Sequence, residues 1–318
     1  MAPNETAAAT AMSAGDARRA ANVRPDLFDV RTPTPYEIMR MRAKHHPGFL
    51  VGMSIILVVA ICALFAPWIA PYNPFDQDIS RRLINPIWGP NSTWDNPLGT
   101  DAFGRDYLSR LIHGARVSMI IGLVAPSIAC IIGTMIGMVG GYFGGRVDAV
   151  VMYLINTKLA LPGLVVTLSL VAVFGGSMFV LICVITFLFW DRYAIVLRTV
   201  TQQIRSQDFI TAAEAIGCSR TRIILTEILP NVLNQMIVIL TLEMALAILI
   251  EATLSFLGLG IQPPLTSLGL LLGSGRSLLL NAWWIAVLPG LVIFLTTLSM
   301  SLFGDWLRDR LDPMLTDR

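Results

Sequence analysis

The sequence predicts an all-α protein, a polytopic membrane bundle of six transmembrane helices, and three observations carry that prediction. Hydrophobic residues make up 55% of the 318-residue chain and charged residues only 14%, against about 25% charged in a typical soluble domain. Several stretches run uncharged, or nearly so, for about the 20 residues a helix needs to cross a bilayer. Glycine and proline recur inside those stretches, where neighbouring helices re-satisfy the backbone groups they free. A large soluble protein with a rich core would not need apolar runs of that length.

Taken in order, residues 1–47 are rich in Ala, Pro, Thr and Arg and lack apolar periodicity, so they are expected to form a disordered cytoplasmic tail. The first apolar run starts only at Gly48, too late for the core of a cleavable signal, and the segment 48–70 should stay as an anchor with its span at 49–69. A polar extracytoplasmic segment follows at 71–116. The second span is expected at 117–140, and "GGYFGG" after it, with Gly140, Gly141, Gly144 and Gly145, reads as a cytoplasmic turn. The third, 148–173, contains Pro162, and the fourth, 178–200, is interrupted by "WDRY". The fifth and sixth fall at 232–257 and 284–303. The transmembrane core thus covers 117–304, with a cytoplasmic loop at 201–231, and 305–318 forms a C-terminal tail.

Orientation follows from Lys and Arg near the span ends. Arg18, Arg19, Arg24, Arg31, Arg40, Arg42 and Lys44 precede the first span and place the N-terminus in the cytoplasm, and six spans return the C-terminus there. Arg81, Arg82, Arg105, Arg110 and Arg116 on the opposite side run against this rule. The tail takes precedence because the first helix usually dominates.

Several chemistries are excluded. A phosphate-cradling loop needs a lysine after glycine, and the two lysines, Lys44 and Lys158, follow Ala43 and Thr157. His45 and His46 sit together in the tail and His113 stands alone, so neither a triad nor a zinc set forms. Cys62, Cys130, Cys183 and Cys218 have no metal-like spacing and read as free thiols. The charges are scattered, with no basic block for nucleic acid. No catalytic residue and no cofactor or metal ligand is expected in this chain.

One segment is too polar for its surroundings. "ITAAEAIGCSRTRIILTEILPN" (210–231) carries Glu214, Arg220, Arg222 and Glu227. Residues 206–216 suit a short helix that Gly217 would end in the left-handed conformation. Ser219 would cap a second short helix, and Pro230 would fall in the first turn of the fifth span, where its missing N–H costs least. Ala212, Ala213 and Ala215 are small enough for another protein to approach closely.

This segment resembles the cytoplasmic "EAA" loop of permeases in ATP-binding-cassette importers. Ala212, Ala213, Gly217, Leu229 and Pro230 match that pattern residue by residue, and the "ILPN" ending is that of peptide-type members. Thr211 stands where the loop has a glutamate, Glu214 lies one turn later on the same face, and Glu227 replaces an isoleucine. "NPLGTDAFGRDYLSRLIHGARVS", "EATLSFLGLGIQPP", "GDWLRDRLDP" and "FAPWIAPYNP" resemble stretches of dipeptide and oligopeptide permeases, so the similarity covers roughly residues 45–315. Tyr153, Asn156 and Leu268 depart from it, where an Arg, an Asp and a Trp are common.

The resemblance implies a bacterial inner-membrane permease subunit for di- or oligopeptides. Its loop would act as a coupling helix on separate ATP-binding subunits, which would hold ATP and Mg. It further implies a second homologous permease, an extracytoplasmic substrate-binding protein and a lipid environment as partners. Nickel or another small solute is an alternative cargo within the family. A stand-alone ion-coupled secondary transporter is an alternative of another class, and a membrane scaffold without transport a more distant one.

Ionisable groups inside spans cost about 2.5–3.5 kcal/mol at a helix centre and invite a functional reading. Lys158, Asp191, Arg192, Glu243 and Glu251 are such groups. Glu243, Glu251 and Lys158 are the pathway candidates, the alternative being pairing with a neighbouring helix or, for Glu251, a packing or gate role. Asp191 and Arg192, adjacent in sequence, should point to different faces. In 71–116, "GRDYLSRLIHG" fits an amphipathic helix with Tyr107, Leu108, Leu111 and Ile112 inward. It would serve as a structural cap or as a contact for the binding protein, as would "GLGIQPPLTSLG".

Overall fold

The computed structural model describes residues 47–311. The expectations for the tail, including its arginines, Lys44, His45 and His46, and for residues 312–318 lie outside the described residues. Every regular element among the described residues is helical. In order they are α1 (Pro47–Leu64), α2 (Ala66–Ile69), α3 (Tyr107–Phe143), α4 (Gly145–Leu159), α5 (Gly163–Phe174), α6 (Met178–Arg205), α7 (Asp208–Ala215), α8 (Arg220–Arg222), α9 (Leu229–Phe256), α10 (Leu268–Gly275) and α11 (Trp284–Leu311). Among the described residues, four helices are long and apolar enough to cross a membrane: α3, α6, the run Arg220–Phe256 that ends in α9, and α11. The bent pair α4 and α5 makes a fifth candidate, while α1 is a shorter apolar helix.

The structure corrects several boundaries, each for a local reason. The second apolar helix starts at Tyr107 rather than 117, because the Asp106 carboxylate accepts from the Ser109 N–H at 2.8 Å and caps the chain there. From Tyr107 on, "GRDYLSRLIHG" is therefore the first part of α3, with Tyr107 and Ile112 buried and Leu108 and Leu111 half-buried. The third span breaks at Pro162 into α4 and α5, inclined at 79°, since proline supplies no N–H and disfavours helix in the residue before it. The fourth is not interrupted: α6 runs unbroken through "WDRY". Gly140 and Gly141 lie within α3, so only Gly144 and Gly145, at φ +64° and +52°, make the turn.

The fifth span also departs from expectation. The helix is continuous from Arg220, and a π-helical stretch at Ile223–Ile228 precedes Leu229 and Pro230. Widening the helix before a proline accommodates a residue that cannot donate to the preceding turn. Asn231 Nδ2 donates to the Glu227 carbonyl there at 2.6 Å. Ser219 holds the cap position of α8, yet its hydroxyl makes no capping bond.

The core is organised on α3 and α6. Gly133, Gly137 and Gly141 recur every fourth residue on one face of α3. A Cβ added to them would stand 2.2 Å from the Trp190 carbonyl, 2.6 Å from that of Ala194 and 2.6 Å from that of Arg198, respectively. The contacts advance together along both chains, so α3 and α6 run parallel with their backbones in contact. This is small-residue packing of the kind that drives helix association in lipid. Around the seam lie Tyr142, Phe189, Tyr193 and Leu197, all buried. α9 lies against α3 and α6, and α11 against α9, where Gly304 approaches Thr241.

The two ends of the bundle are closed differently. At one end, Tyr107 donates from its hydroxyl to the Ile285 carbonyl, joining the starts of α3 and α11. At the other, Arg198 of α6 pairs with both oxygens of Asp148 of α4. Gly137→Leu is expected to force the seam apart and destabilise the protein by about 1–3 kcal/mol, the range for overpacking. Gly145→Ala, with nothing within 4 Å of its Cβ, should cost only about 1 kcal/mol of backbone strain. Thermal unfolding of both variants in detergent checks the contrast.

Candidate functional site

The loop between α6 and α9 is built on α7. The helix ends in two capping bonds: Gly217 N–H donates to the Glu214 carbonyl at 3.0 Å, and Cys218 N–H to that of Ala213 at 3.1 Å. That pair is the Schellman arrangement, and it needs a left-handed residue, supplied by Gly217 at φ +88°. Asp208 in the first turn places negative charge at the positive end of the helix dipole.

The helix is amphipathic in a consistent way. Ile210 is buried, and Ala213 and Cys218 pack with it against Ile223, Ile224 and Ile228. Asp208, Thr211, Ala212 and Ala215 are exposed on the opposite face. Phe209 is 41% exposed and Ile216 83%. Glu214 turns back to the bundle, where its Oε1 accepts from the Tyr142 hydroxyl at 3.2 Å. The Arg205 guanidinium lies 5.6 Å from the Tyr142 ring centre. The charge of the "EAA"-like segment therefore fastens α7 to the end of α3. What faces outward is a strip of small side chains flanked by two apolar ones.

Of the other matched residues, Leu229 is half-buried behind this loop and Pro230 is exposed. They belong to the helix that leads into the bundle, not to the exposed strip.

The intramembrane charges fall into three groups. Lys158 of α4 donates to Asp191 of α6 and to the Leu188 carbonyl, and Asp191 is 1% exposed. Arg192 turns the other way, as expected for an adjacent helical residue, and donates from Nη1 to Glu243 Oε1 of α9 at 2.9 Å. Glu251 is fully buried, with Oε2 accepting from Ser118 at 2.8 Å and Oε1 from Ser255 at 2.7 Å. Ser118 Oγ also accepts from the Leu268 N–H at 3.2 Å, so this carboxyl ties the start of α10 to α3 and α9. Lys158 and Glu251 thus spend their polar groups inside the chain, whereas one oxygen of Glu243 has no partner.

At the far end, Asp101 is a hub. Its Oδ1 accepts from the Phe103 and Arg105 N–H groups at 2.8 and 3.0 Å, and Oδ2 from Arg105 Nε at 2.7 Å and from Arg110. Asn96 Nδ2 donates to Asp106 at 2.8 Å. The "GTDAFGRD" stretch has a structural task, fixing the cap of α3. Sequence reasoning missed the glycine seam, legible as a four-residue repeat, and missed the exposure of Arg192, which no local signal carries.

Known proteins resemble this chain over most of its length. The family model for binding-protein-dependent transport system inner membrane components matches residues 133–317, and that for the N-terminal TM domain of oligopeptide transport permease C matches residues 34–86. The chain is 39% identical over 283 residues to the di/tripeptide transport system permease protein DppC of Pseudomonas aeruginosa, covering 89% of this chain and 93% of the relative. It is 36% identical over 282 residues to the dipeptide transport system permease protein DppC of Haemophilus influenzae, covering 89% and 96%. The protein of that name from Escherichia coli is 39% identical over 282 residues, covering 89% and 94%.

The pairing of Lys158 makes a direct prediction. Lys158→Met strands a buried carboxylate and should destabilise the protein by about 3–5 kcal/mol, whereas Lys158→Met with Asp191→Leu should recover most of that. Denaturation of the purified variants measures both.

Proposed function

The chain belongs to the family of binding-protein-dependent transport system inner membrane components, and on that premise we propose that it imports di- and oligopeptides as one transmembrane subunit of an ATP-driven complex. The observation that carries the coupling part of this reading is the outer face of α7. Asp208, Thr211, Ala212 and Ala215 form a small-residue strip on a helix fastened to the bundle by Tyr142 and Glu214. A partner can seat closely on such a strip, and a push on it is transmitted to α3 and α6.

In this reading, α1 with α2, α3, the bent pair α4–α5, α6, α9 and α11 make six spans, with both termini and α7 in the cytoplasm. The membrane is the bacterial inner membrane. ATP and Mg bind to separate ATP-binding subunits, whose closure around ATP moves α7 and tilts the bundle. This chain contributes no bond chemistry and no cofactor ligand. A closure step of this kind shifts the bundle only through contacts that differ between its two states, and the α7 strip would supply them. A second homologous permease completes the pathway. An extracytoplasmic binding protein delivers peptide at the end built around Asp101 and residues 257–267. Of the intramembrane acids, Glu243 is the one assigned to the pathway.

Gly217→Val tests the coupling assignment. Valine is strained at φ +88°, by roughly 1–3 kcal/mol, and should unravel the cap of α7 while the spans insert as before. The expected result is loss of the co-purifying ATP-binding subunit and of ATP-driven dipeptide uptake. Normal uptake by this variant would remove α7 from the coupling role.

A further inference from the structure

We infer that Arg192, paired with Glu243, is the group of this chain that receives the peptide's carboxylate inside the membrane. The inference rests on the peptide-importer reading and adds to it a residue and a ligand chemistry.

Arg192 lies near the middle of α6, yet its side chain is 50% exposed. A guanidinium at that depth is costly against hydrocarbon. Apart from Arg205 at its end, the exposed residues of α6 divide into two stripes. Phe179, Cys183 and Phe187 make an apolar one, suited to lipid. Arg192, Val196, Thr199 and Gln203 follow at helical spacing on the opposite side.

On α6 itself, Thr199 and Gln203 carry exposed polar groups on the side of Arg192, and polar groups within a span belong to a bundle interior or a water-filled cavity rather than to lipid.

Among the described residues, Arg192 is the exposed charge at mid-span. Lys158 and Asp191 neutralise each other, and Glu251 is sealed by serines. Glu243 is 5% exposed; one of its oxygens takes Arg192 and the other is without a partner. Arg192 is thus anchored on one side and open on the other. A guanidinium binds carboxylate through a planar fork, and the one anionic group common to all peptides is the terminal carboxylate.

The test uses the complete importer with the four native cysteines changed to serine and Arg192→Cys added. Dipeptide uptake should fall by about ten- to a hundredfold, as for loss of one charge-assisted contact. A cationic methanethiosulfonate should restore uptake and an anionic one should not, while binding-protein-stimulated ATP hydrolysis continues in both. Equal uptake after either reagent, or no labelling by either, would overturn the inference. Arg192→Gln with Glu243→Gln leaves no stranded charge. It should assemble and hydrolyse ATP yet transport poorly, and wild-type uptake by it would also overturn the inference. If the parent hydrolyses ATP but takes up no dipeptide, the peptide reading itself fails, separately from any effect of Arg192.

Discussion

Backbone contact between α3 and α6, allowed by Gly133, Gly137 and Gly141, fixes where nearly everything else can go. With no side chain between them, the two helices have one rotational setting, and the α6 side chains project at angles the seam dictates. Asp191 then faces α4 and finds Lys158, while Arg192 faces α9 and finds Glu243. Arg198, two turns on, reaches Asp148. The end of α6 arrives beside the end of α3, so a short turn suffices to tuck α7 under Tyr142.

Lipid supplies no hydrogen bonds, so polar groups buried in the bundle rely on partners within the protein. Glu251 does so with three helices' worth of neighbours, Ser118, Ser255 and the start of α10. Lys158 does so with Asp191. These groups hold helices in register and present no charge outward. The Arg192–Glu243 pair is built differently, half in and half out. That contrast separates structural charges from a group positioned to meet a solute.

Much of this was legible in the sequence. The apolar runs became helices or parts of them, and Gly217 ends α7 as its position suggested. Pro162 is expected inside one continuous span, yet the chain bends by 79° there, because the angle depends on what α4 and α5 pack against. The extension of α3 to Tyr107 follows from the Asp106 cap, a local signal that the charge-rich surroundings concealed. "WDRY" looked like an interruption because its partners are distant: Lys158 stands 33 residues from Asp191, and Glu243 stands 51 from Arg192. Glu214 reads as a charge one turn beyond the motif's glutamate position, but its bond to Tyr142 spans 72 residues and has no sequence signature.

In the proposed function, this chain forms half of a passage and another polypeptide supplies the energy. The most direct measurement is uptake of a labelled dipeptide into proteoliposomes holding the complete complex, with ATP, binding protein and proton gradient varied independently. Accumulation that requires ATP and the binding protein and ignores the gradient is the predicted result. Accumulation by this chain alone, driven by the gradient without ATP, would contradict the account.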